Sequence, residues 1–345
     1  KKKAIMAITK NSGSVSVVVG GGRVGTYLAC KLTKAGGRVV LKGRPGSKSS
    51  QLKIYSDLLC KEAGVQQTTS YDTIAAQTVD FLFIATKTYD FQNVKRELEA
   101  ANVTVKNVIL IHNGILKPIF KDSVRVVVTQ SWDFHETPGE GVGVKMVVRN
   151  EDKPWAMPDT PNAKEVAELL GSVGINASAS KEFEFMMVKK YFINGVANLQ
   201  AIIGDCNCNG LLADHRNTME LLYDEIHATL RNVHKQAFAD MPPNFRQMVF
   251  DGLATYGPHY PSTKMDFDAG LNIELDALNG YIIEMAKEQG IKVPHTEALV
   301  SEVKRRMSLR KSSTSSAGSY NGRLIALAVV AAVGAVAASA IARRR

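Results

Sequence analysis

Hydrophobic and polar positions divide the chain into two parts of different character. The first part alternates short apolar runs with amphipathic stretches, the pattern of buried parallel strands joined by crossover helices. The predicted strands are Val15–Val19, Arg38–Leu41, Asp80–Thr86, Asn107–Ile111, Arg125–Thr129 and Gly171–Ala177, the last of which is expected to complete the sheet. Helices are predicted after the first strand, over Asp90–Ala100 and around Ala163–Leu170.

From Phe183 onward the apolar spacing is helical throughout. The predicted helices are Phe183–Ile203, Asp214–Ala239, Asn272–Gln289 and His295–Leu309. A sheet followed by helices predicts two domains with a cleft between them. We therefore expect a Rossmann-type α/β domain over residues 14–180 and an all-helical substrate and catalytic domain over residues 181–310.

The last part of the chain has the composition of a tether and an anchor. Residues 311–323 are rich in Ser and Gly, which is typical of a flexible linker. Leu324–Ala342 carries no charge and would reach roughly 28 Å as a helix, close to the ~30 Å core of a bilayer. We predict a C-terminal transmembrane helix here, with a buried Ala-rich helix as the alternative.

An anchor at this position would place the body of the protein on the side of the membrane where it is made. We therefore expect a cytosol-facing catalytic part on a mitochondrial, peroxisomal or plastid outer surface, with the organelle left open. Residues 1–13 are predicted to be a basic tail, since they lack an apolar core long enough for a signal peptide.

Composition excludes several classes of protein. A chain of 345 residues with 45% hydrophobic and 22% charged residues is not disordered. Its four cysteines form no Cys-x-x-Cys or Cys/His cluster, so we expect no metal, no disulfide framework and a reducing compartment. The net charge of +10 resides at the two ends and leaves an acidic middle, which disfavours nucleic acid as a partner.

The first predicted strand leads into a glycine-rich turn. The segment after Val19 reads GGGRVG, and a helical pattern follows it. In this strand–turn–helix context Gly20 permits the tight turn, Gly22 lets the backbone approach a pyrophosphate, and Gly25 lets the helix pack closely on the sheet. The motif predicts a dinucleotide site; an ordinary glycine-rich turn is the alternative.

The end of the second predicted strand distinguishes between the two nicotinamide cofactors. An NAD site requires a carboxylate there for the ribose 2′-hydroxyl, whereas this chain has Lys42 and Arg44 and no acidic residue before Asp57. We predict NADPH/NADP⁺ as the cofactor, with Arg44 as the main partner of the 2′-phosphate and Lys42 as a helper. The alternative for Arg44 is a solvated loop side chain.

Further polar residues follow strand ends or share one helix face. Lys87 and Asn113 follow two predicted strands and therefore point toward the crevice of an open α/β sheet. Lys190, Asn194 and Asn198 are spaced four and four on one helix. Position alone makes such a stripe a solvated face more often than a site.

Several blocks in a fixed order identify a resemblance. The chain resembles the ketopantoate reductases (2-dehydropantoate 2-reductases) over nearly all of residues 14–310. The matching blocks are VVVGGGRVGTYLA, FLFIATKTYD, LIHNGIL, KKYFINGVANLQAIIG with CNGLL, and PSTKMDFDAGLNIELDALNGYIIEMAKEQGIKVPHTEAL. The resemblance implies NADPH-dependent reduction of a 2-oxo acid, the step that yields pantoate on the way to pantothenate and coenzyme A.

The resemblance also assigns residues by position. Lys190 matches the catalytic lysine, which as a general acid would protonate the C2 oxygen, and Glu274 matches a carboxylate that contacts substrate and helps to position that lysine. The substrate contacts that it implies are Ser262, Asn194, Asn198 and Asn113. The cofactor contacts that it implies are Lys87 and, again, Asn113.

Two departures from the family pattern concern cofactor and substrate. Asp90 stands where family members often have Gln, and Leu199 where Pro is common. The segment Ser131–Pro158 follows the family's glycine-rich strand pair only faintly. The alternatives to ketopantoate reduction are reduction of a different 2-oxo acid and a non-catalytic NADP(H)-binding sensor at a membrane surface; whether the protein is a monomer or a dimer is left open.

Overall fold

The computed structural model describes residues 15–45, 51–75, 77–137 and 143–316. The strands of the first part are β1 Val15–Val19, β2 Arg38–Lys42, β3 Gln66–Thr68, β4 Thr78–Ile84, β5 Thr104–Ile111, β6 Val124–Val126, β7 Ser131–Thr137, β8 Gly143–Arg149, β9 Trp155–Pro158 and β10 Ala177–Ser180. Its helices are α1 Arg23–Lys34, α2 Gln51–Ala63, α3 Phe91–Ala100 and α4 Pro161–Ser172, with short 3₁₀ turns at Asp72–Ile74 and Thr88–Asp90.

Six parallel strands form the central sheet in the order β3-β2-β1-β4-β5-β6. This is the doubly wound order of a dinucleotide-binding fold. The strands are apolar because helices cover both faces: Val17, Leu82 and Ile109 are fully buried. The predicted α/β class and the first five predicted strands are confirmed, with shifted ends.

The prediction that Gly171–Ala177 completes the main sheet was wrong. Helix α4 continues through Ser172, and a turn at Gly174, which has a φ of +77°, follows it. The strand therefore begins at Ala177 and pairs in parallel with β9 in a separate two-stranded sheet. The pairing of Trp155 with Ala177, which lies far away in sequence, selects this register.

The segment after the main sheet forms an antiparallel hairpin. Strands β7 and β8 pair from Ser131 with Arg149 to Thr137 with Gly143. The hairpin places Trp132 in the core beside Tyr27 of α1, with ring centroids 5.5 Å apart. The faint strand pair that the sequence indicated in this segment is therefore present, and it covers the first crossover helix.

The second part of the chain is helical. Its helices are α5 Phe183–Gly204, α6 Cys208–Asp214, α7 Arg216–Val233, α8 Lys235–Ala239, α9 Phe245–Ala254, α10 Ser262–Asp268, α11 Asn279–Gln289 and α12 Pro294–Ser316. Helix α5 is the central one, and Phe192, Val196 and Leu199 are fully buried in it. It forms the core with α7, α9, α11 and α12.

Two predicted helices differ from the observed ones. The predicted helix Asp214–Ala239 is interrupted at His234, whose backbone leaves the helical region and whose ring contacts Glu184. The predicted helix Asn272–Gln289 begins only at Asn279. Residues 272–278 are instead a non-helical segment, and this change allows Glu274 to reach the sheet.

The non-helical segment also joins the two parts of the molecule. The backbone N–H of Ile115 donates to the carbonyl oxygen of Ala277 at 2.8 Å. A Cβ atom on Gly114 would lie 2.0 Å from that oxygen, and Gly114 has a φ of +74°. Only glycine permits this close approach after β5.

No helix within the described ranges has the length and hydrophobicity needed to cross a bilayer. The predicted anchor Leu324–Ala342 and the basic tail of residues 1–13 lie outside the described residues. The backbone of α12 continues through Ser316 and so enters the segment predicted as a linker. This continuation is consistent with the sequence, since neither Pro nor Gly occurs between Pro294 and Gly318.

Candidate active site

The glycine turn between β1 and α1 has the geometry that the sequence predicted. Gly20 has a φ of +112°, and a Cβ atom there would lie 2.7 Å from the Ala85 carbonyl oxygen. A Cβ atom on Gly25 would lie 1.9 Å from the Gly20 carbonyl oxygen. These two glycines are therefore required by backbone packing, whereas a Cβ atom on Gly22 would have no atom within 4 Å.

The first turn of α1 is open to a ligand. Gly22 precedes the helix in an extended conformation and provides no side-chain cap. The first backbone N–H groups of a helix lack partners within the helix, and the helix dipole favours an anion beside them. The open space at Gly22 and this helix terminus together form a phosphate-binding position.

A cleft of about 270 Å³ runs from the glycine turn to helix α5. The ends of β4, β5 and β6 form one wall, and helices α5, α9 and α10 form the other. Eight of the residues predicted from the sequence line it: Gly22, Lys87, Asn113, Lys190, Asn194, Asn198, Ser262 and Glu274. Residues from five separate stretches of the chain therefore meet at one site.

Lys190 projects from α5 to the carboxyl ends of β5 and β6. Its Nζ donates to Asn113 Oδ1 at 3.0 Å and to the backbone oxygen of Val128. Two neutral acceptors thus orient the amine without a direct carboxylate partner. Lys189, its neighbour in sequence, is not among the residues that line the cleft.

Burial and a nearby guanidinium alter the acidity of this lysine. Burial, followed by the positive charge of Arg125, lowers the pKa of Lys190 to about 8, and Glu274 acts in the opposite direction. A pKa close to physiological pH is suited to an amine that gives up and regains a proton. The same two causes lower the pKa of His112 well below its usual value.

Glu274 is the buried carboxylate of the site, with its side chain only 2% exposed. It accepts from the backbone N–H of Thr88 at 3.3 Å and from Asn113 Nδ2 at 3.4 Å, and Lys87 Nζ lies 3.5 Å away. Glu274 is therefore connected to Lys190 through the Asn113 amide, and its direct ion pair is with Lys87.

Lys87 forms ion pairs that join the sheet part of the molecule to the helical part. Its ammonium pairs with Asp266 on α10 as well as with Glu274. Both carboxylates raise the pKa of Lys87 against the opposing effect of burial. Lys87 is therefore a permanently charged group between the end of β4 and the helical part.

The far side of the cleft carries neutral polar groups. Asn198 Nδ2 donates to Thr263 Oγ1 at 3.1 Å, which fixes this amide. Asn194 Nδ2 is buried and has no hydrogen-bond partner. Ser262 is exposed at the start of α10 and faces the same space. An unpartnered amide and a free hydroxyl that line the same cleft can both bind the oxygen atoms of a ligand.

The two predicted 2′-phosphate partners lie outside this cleft lining. Arg44 has a side chain that is 60% exposed, and it pairs with Asp90 beside the ring of Tyr89. Lys42 is buried and donates to Glu97 at 2.8 Å over the ring of Tyr71. Arg44 is therefore accessible to a ligand, whereas the ammonium of Lys42 is already paired with Glu97.

Sequence reasoning missed several groups that complete the site. Arg125 interrupts an apolar strand and donates to the Gly114 carbonyl oxygen at 2.6 Å. A charged residue inside the run VRVVV was the available signal for it. Asp266 lies within a block already matched to the family, but its pairing with Lys87, 179 positions away, was not apparent from the sequence.

Comparisons with known proteins agree with this arrangement. The family model "Ketopantoate reductase PanE/ApbA" matches residues 16–128, and "Ketopantoate reductase PanE/ApbA C terminal" matches residues 182–307. A 2-dehydropantoate 2-reductase of Pyrobaculum aerophilum is 25% identical over 296 residues, which are 85% of this chain and 98% of that protein.

Solved structures share the fold. A PanE/ApbA family ketopantoate reductase from Ralstonia eutropha JMP134 matches with a TM-score of 0.68 at 19% identity and covers 86% of this chain and 99% of its own. D-mandelate dehydrogenase with NADH and anilino(oxo)acetate matches with a TM-score of 0.65 at 18% identity over 85% of this chain and 98% of its own. The two family models together span more than half of the 345 residues. The chain belongs to the ketopantoate reductase PanE/ApbA family.

Proposed function

We propose that this chain catalyses the NADPH-dependent reduction of 2-dehydropantoate to pantoate, with Lys190 as the general acid. The observation that carries the proposal is the position of Lys190 in the cleft beside the glycine turn, with its Nζ 3.0 Å from Asn113 Oδ1. Family membership and the relatives named 2-dehydropantoate 2-reductase support the choice of reaction.

The residues at the glycine turn fit a dinucleotide. The space at Gly22 is open, and no side chain caps the first turn of α1, so its N–H groups are available to a pyrophosphate. When bound, NADPH supplies the hydride for the reduction. Arg44, exposed at the end of β2, is the group we assign to the 2′-phosphate.

The proton for the reduction comes from this chain's own amine. With a pKa lowered to about 8, Lys190 is mostly protonated near neutral pH and releases its proton more readily than an exposed lysine does. Its positive charge also stabilises the negative charge that develops on the C2 oxygen of the ketone. Asn113 and the Val128 carbonyl hold the amine in place while it acts.

Glu274 and Lys87 act beside the amine. Glu274 opposes the loss of the proton from Lys190 before substrate binds, because its negative charge raises that pKa. Its hydrogen bond to Asn113 holds the amide that orients Lys190. Lys87 neutralises Glu274 in the ion pair and lies on the cofactor side of the cleft.

The substrate's polar atoms would meet the opposite wall. Ser262 offers a free hydroxyl for the carboxylate, and Asn194 offers its unpartnered Nδ2. Asn198 is held by Thr263 at the edge of the same space. These groups donate hydrogen bonds without adding a charge, so the carboxylate would be bound mainly by polar contacts.

The proposal is tested by following NADPH absorbance with purified protein and 2-dehydropantoate, with the product identified as pantoate. We expect stoichiometric NADPH oxidation and pantoate formation. The matched control is Lys189→Ala, which removes an adjacent lysine outside the cleft and should retain near-normal turnover. Absence of oxidation with this substrate would reject the proposal.

Reduction of a different 2-oxo acid is the second candidate function, and the apolar side chains of the cleft are the observation in its favour. Trp132, Tyr256 and Leu253 line the wall near the substrate position, and such side chains can accommodate a larger apolar group. A panel of 2-oxo acids with aliphatic and aromatic side chains distinguishes the candidates by kcat/KM. A non-catalytic sensor remains the outcome if NADPH binds and no acid is reduced.

We also propose that Leu324–Ala342 anchors the protein to a membrane, with the catalytic part facing the cytosol. The support is the uncharged run of nineteen residues, flanked by Arg323 and by Arg343 to Arg345, after a Ser/Gly-rich segment. Expression of the full chain and of residues 1–322, followed by carbonate extraction of membranes, tests the proposal. Only the full chain should remain in the membrane pellet; equal release of both would exclude an anchor.

A further inference from the structure

Helices α1 and α2 pack side by side with small polar side chains matched across the contact. Thr26 of α1 and Ser56 of α2 share a hydrogen bond of 2.5 Å between their hydroxyl oxygens. Both hydroxyls are buried, and only small residues allow two helices to come this close. The two helices follow parallel strands β1 and β2, so their chains run in the same direction.

One helical turn further along, the matched pair is two thiols. Cys30 lies four residues after Thr26, and Cys60 lies four residues after Ser56. Cys30 Sγ lies 3.6 Å from the carbonyl oxygen of Leu59, the residue bonded to Cys60, so the two cysteines face each other across the helix contact. Near the ends of both helices the contact continues with Lys34 Nζ, 3.4 Å from Glu62.

We propose that Cys30 and Cys60 form a reversible disulfide that joins α1 to α2 when a low-molecular-weight disulfide is present. A disulfide needs two cysteines on closely approaching backbones, and the hydroxyl contact one turn earlier and the 3.6 Å approach of Cys30 Sγ to the Leu59 carbonyl oxygen show that the two helices are close here. Neither thiol has a place in the reductase site, since neither lines the cleft.

The two thiols have different roles in this exchange. Cys30 is half-buried, whereas Cys60 is fully buried, so only Cys30 is open to a reagent. The neighbouring Cys60 side chain lowers the pKa of the Cys30 thiol, which favours the reactive thiolate. Cys30 and burial both raise the pKa of Cys60, and the part due to the Cys30 charge ends once the Cys30 sulfur no longer carries charge.

The exchange takes place in two balanced steps. The Cys30 thiolate attacks one sulfur of the small disulfide RSSR, forms a Cys30–SR mixed disulfide and releases RS⁻. Cys60 then loses its proton and attacks Cys30 Sγ, which forms the Cys30–Cys60 bond and releases a second RS⁻. The protein loses two electrons and two protons, and RSSR is reduced to two RSH.

The test uses the full chain, oxidised glutathione as the probe, alkylation of remaining thiols and tryptic mass spectrometry. Cys30 lies in the peptide Val24–Lys31 and Cys60 in Ile54–Lys61, while Cys206 and Cys208 share the peptide Tyr191–Arg216. We expect a linked Val24–Lys31 and Ile54–Lys61 species, two alkylated thiols in place of four, and reversal by dithiothreitol.

Matched variants separate the outcomes. Cys206→Ser should leave the linked peptides unchanged, and Cys30→Ser should abolish them. Cys60→Ser should instead leave a stable glutathione adduct on Cys30. If this buried variant does not fold, the loss of the linked peptides in Cys30→Ser still tests the proposal. Persistence of a glutathione adduct on Cys30 in the unsubstituted chain, or four alkylated thiols after exposure to the probe, would overturn the proposal.

Discussion

Lys190 and Asn113 are joined by a hydrogen bond of 3.0 Å that connects helix α5 to the end of strand β5. The amide uses its oxygen for the amine and its nitrogen for Glu274, so one side chain links Lys190 to the buried carboxylate. The amine of Lys190 is therefore positioned by the sheet although it belongs to the helical part. This relationship allows direct tests of the proposed chemistry.

Replacing Lys190 by Ala removes the proposed proton donor and the charge proposed to stabilise the developing oxyanion. Turnover is expected to fall by about 10²–10⁴, the range typical of losing a general acid. NADPH affinity should change little, because the cofactor is bound mainly at the glycine turn. Steady-state kinetics and fluorescence titration measure the two quantities; near-normal turnover in Lys190→Ala would remove this residue from its role.

The pH dependence of the reduction should report the acidity of Lys190. In the proposed mechanism the protonated amine is the active form, and burial and Arg125 lower its pKa to about 8, so kcat/KM should fall as pH rises through that value. Arg125→Met removes a positive charge that lowers this pKa, so the fall should move to higher pH. Arg125→Lys keeps the charge and should keep the profile. An unshifted profile in Arg125→Met contradicts this account.

Asp90 is expected to weaken the preference for NADPH. Its carboxylate pairs with Arg44 and lies where it would oppose a 2′-phosphate. Asp90→Asn should therefore strengthen NADPH binding by about two- to fivefold, given the modest energy of exposed ion pairs, and affect NADH less. Arg44→Ala should weaken NADPH binding roughly ten- to a hundredfold. Equal effects on both cofactors would place the 2′-phosphate elsewhere.

Gly114 should be required for stability as well as for placing Asn113. An Ala there would adopt a left-handed backbone conformation, and its Cβ would lie 2.0 Å from the Ala277 carbonyl oxygen. We expect Gly114→Ala to lower the free energy of unfolding by about 2–4 kcal/mol. Gly171→Ala is the control: the site is open and helical, so this variant should be neutral or stabilising by about 0.5–1 kcal/mol. Urea denaturation measures the free energy of unfolding of both variants. Equal values for the two would contradict the prediction.

Much of the dinucleotide-binding half could be predicted from local pattern. Strands such as β4 are buried on both faces, which makes them continuous apolar runs, and the glycine turn must satisfy backbone constraints at Gly20 and Gly25. Both signals lie within a few residues of the sequence. The assignment of Gly171–Ala177 was wrong because the position of β10 depends on pairing with Trp155 rather than on its own residues.

The sequence by itself determined the fold class, the glycine turn and, through resemblance, which polar residues to consider. By helical spacing alone, Lys190, Asn194 and Asn198 fit a solvated face better than a site. Only the tertiary structure placed them in a cleft, coupled Lys190 to Asn113 across 77 positions and brought Arg125 close enough to lower the pKa of the amine. Such effects depend on distance and burial in space, and these are fixed only when the sheet and the helices pack together.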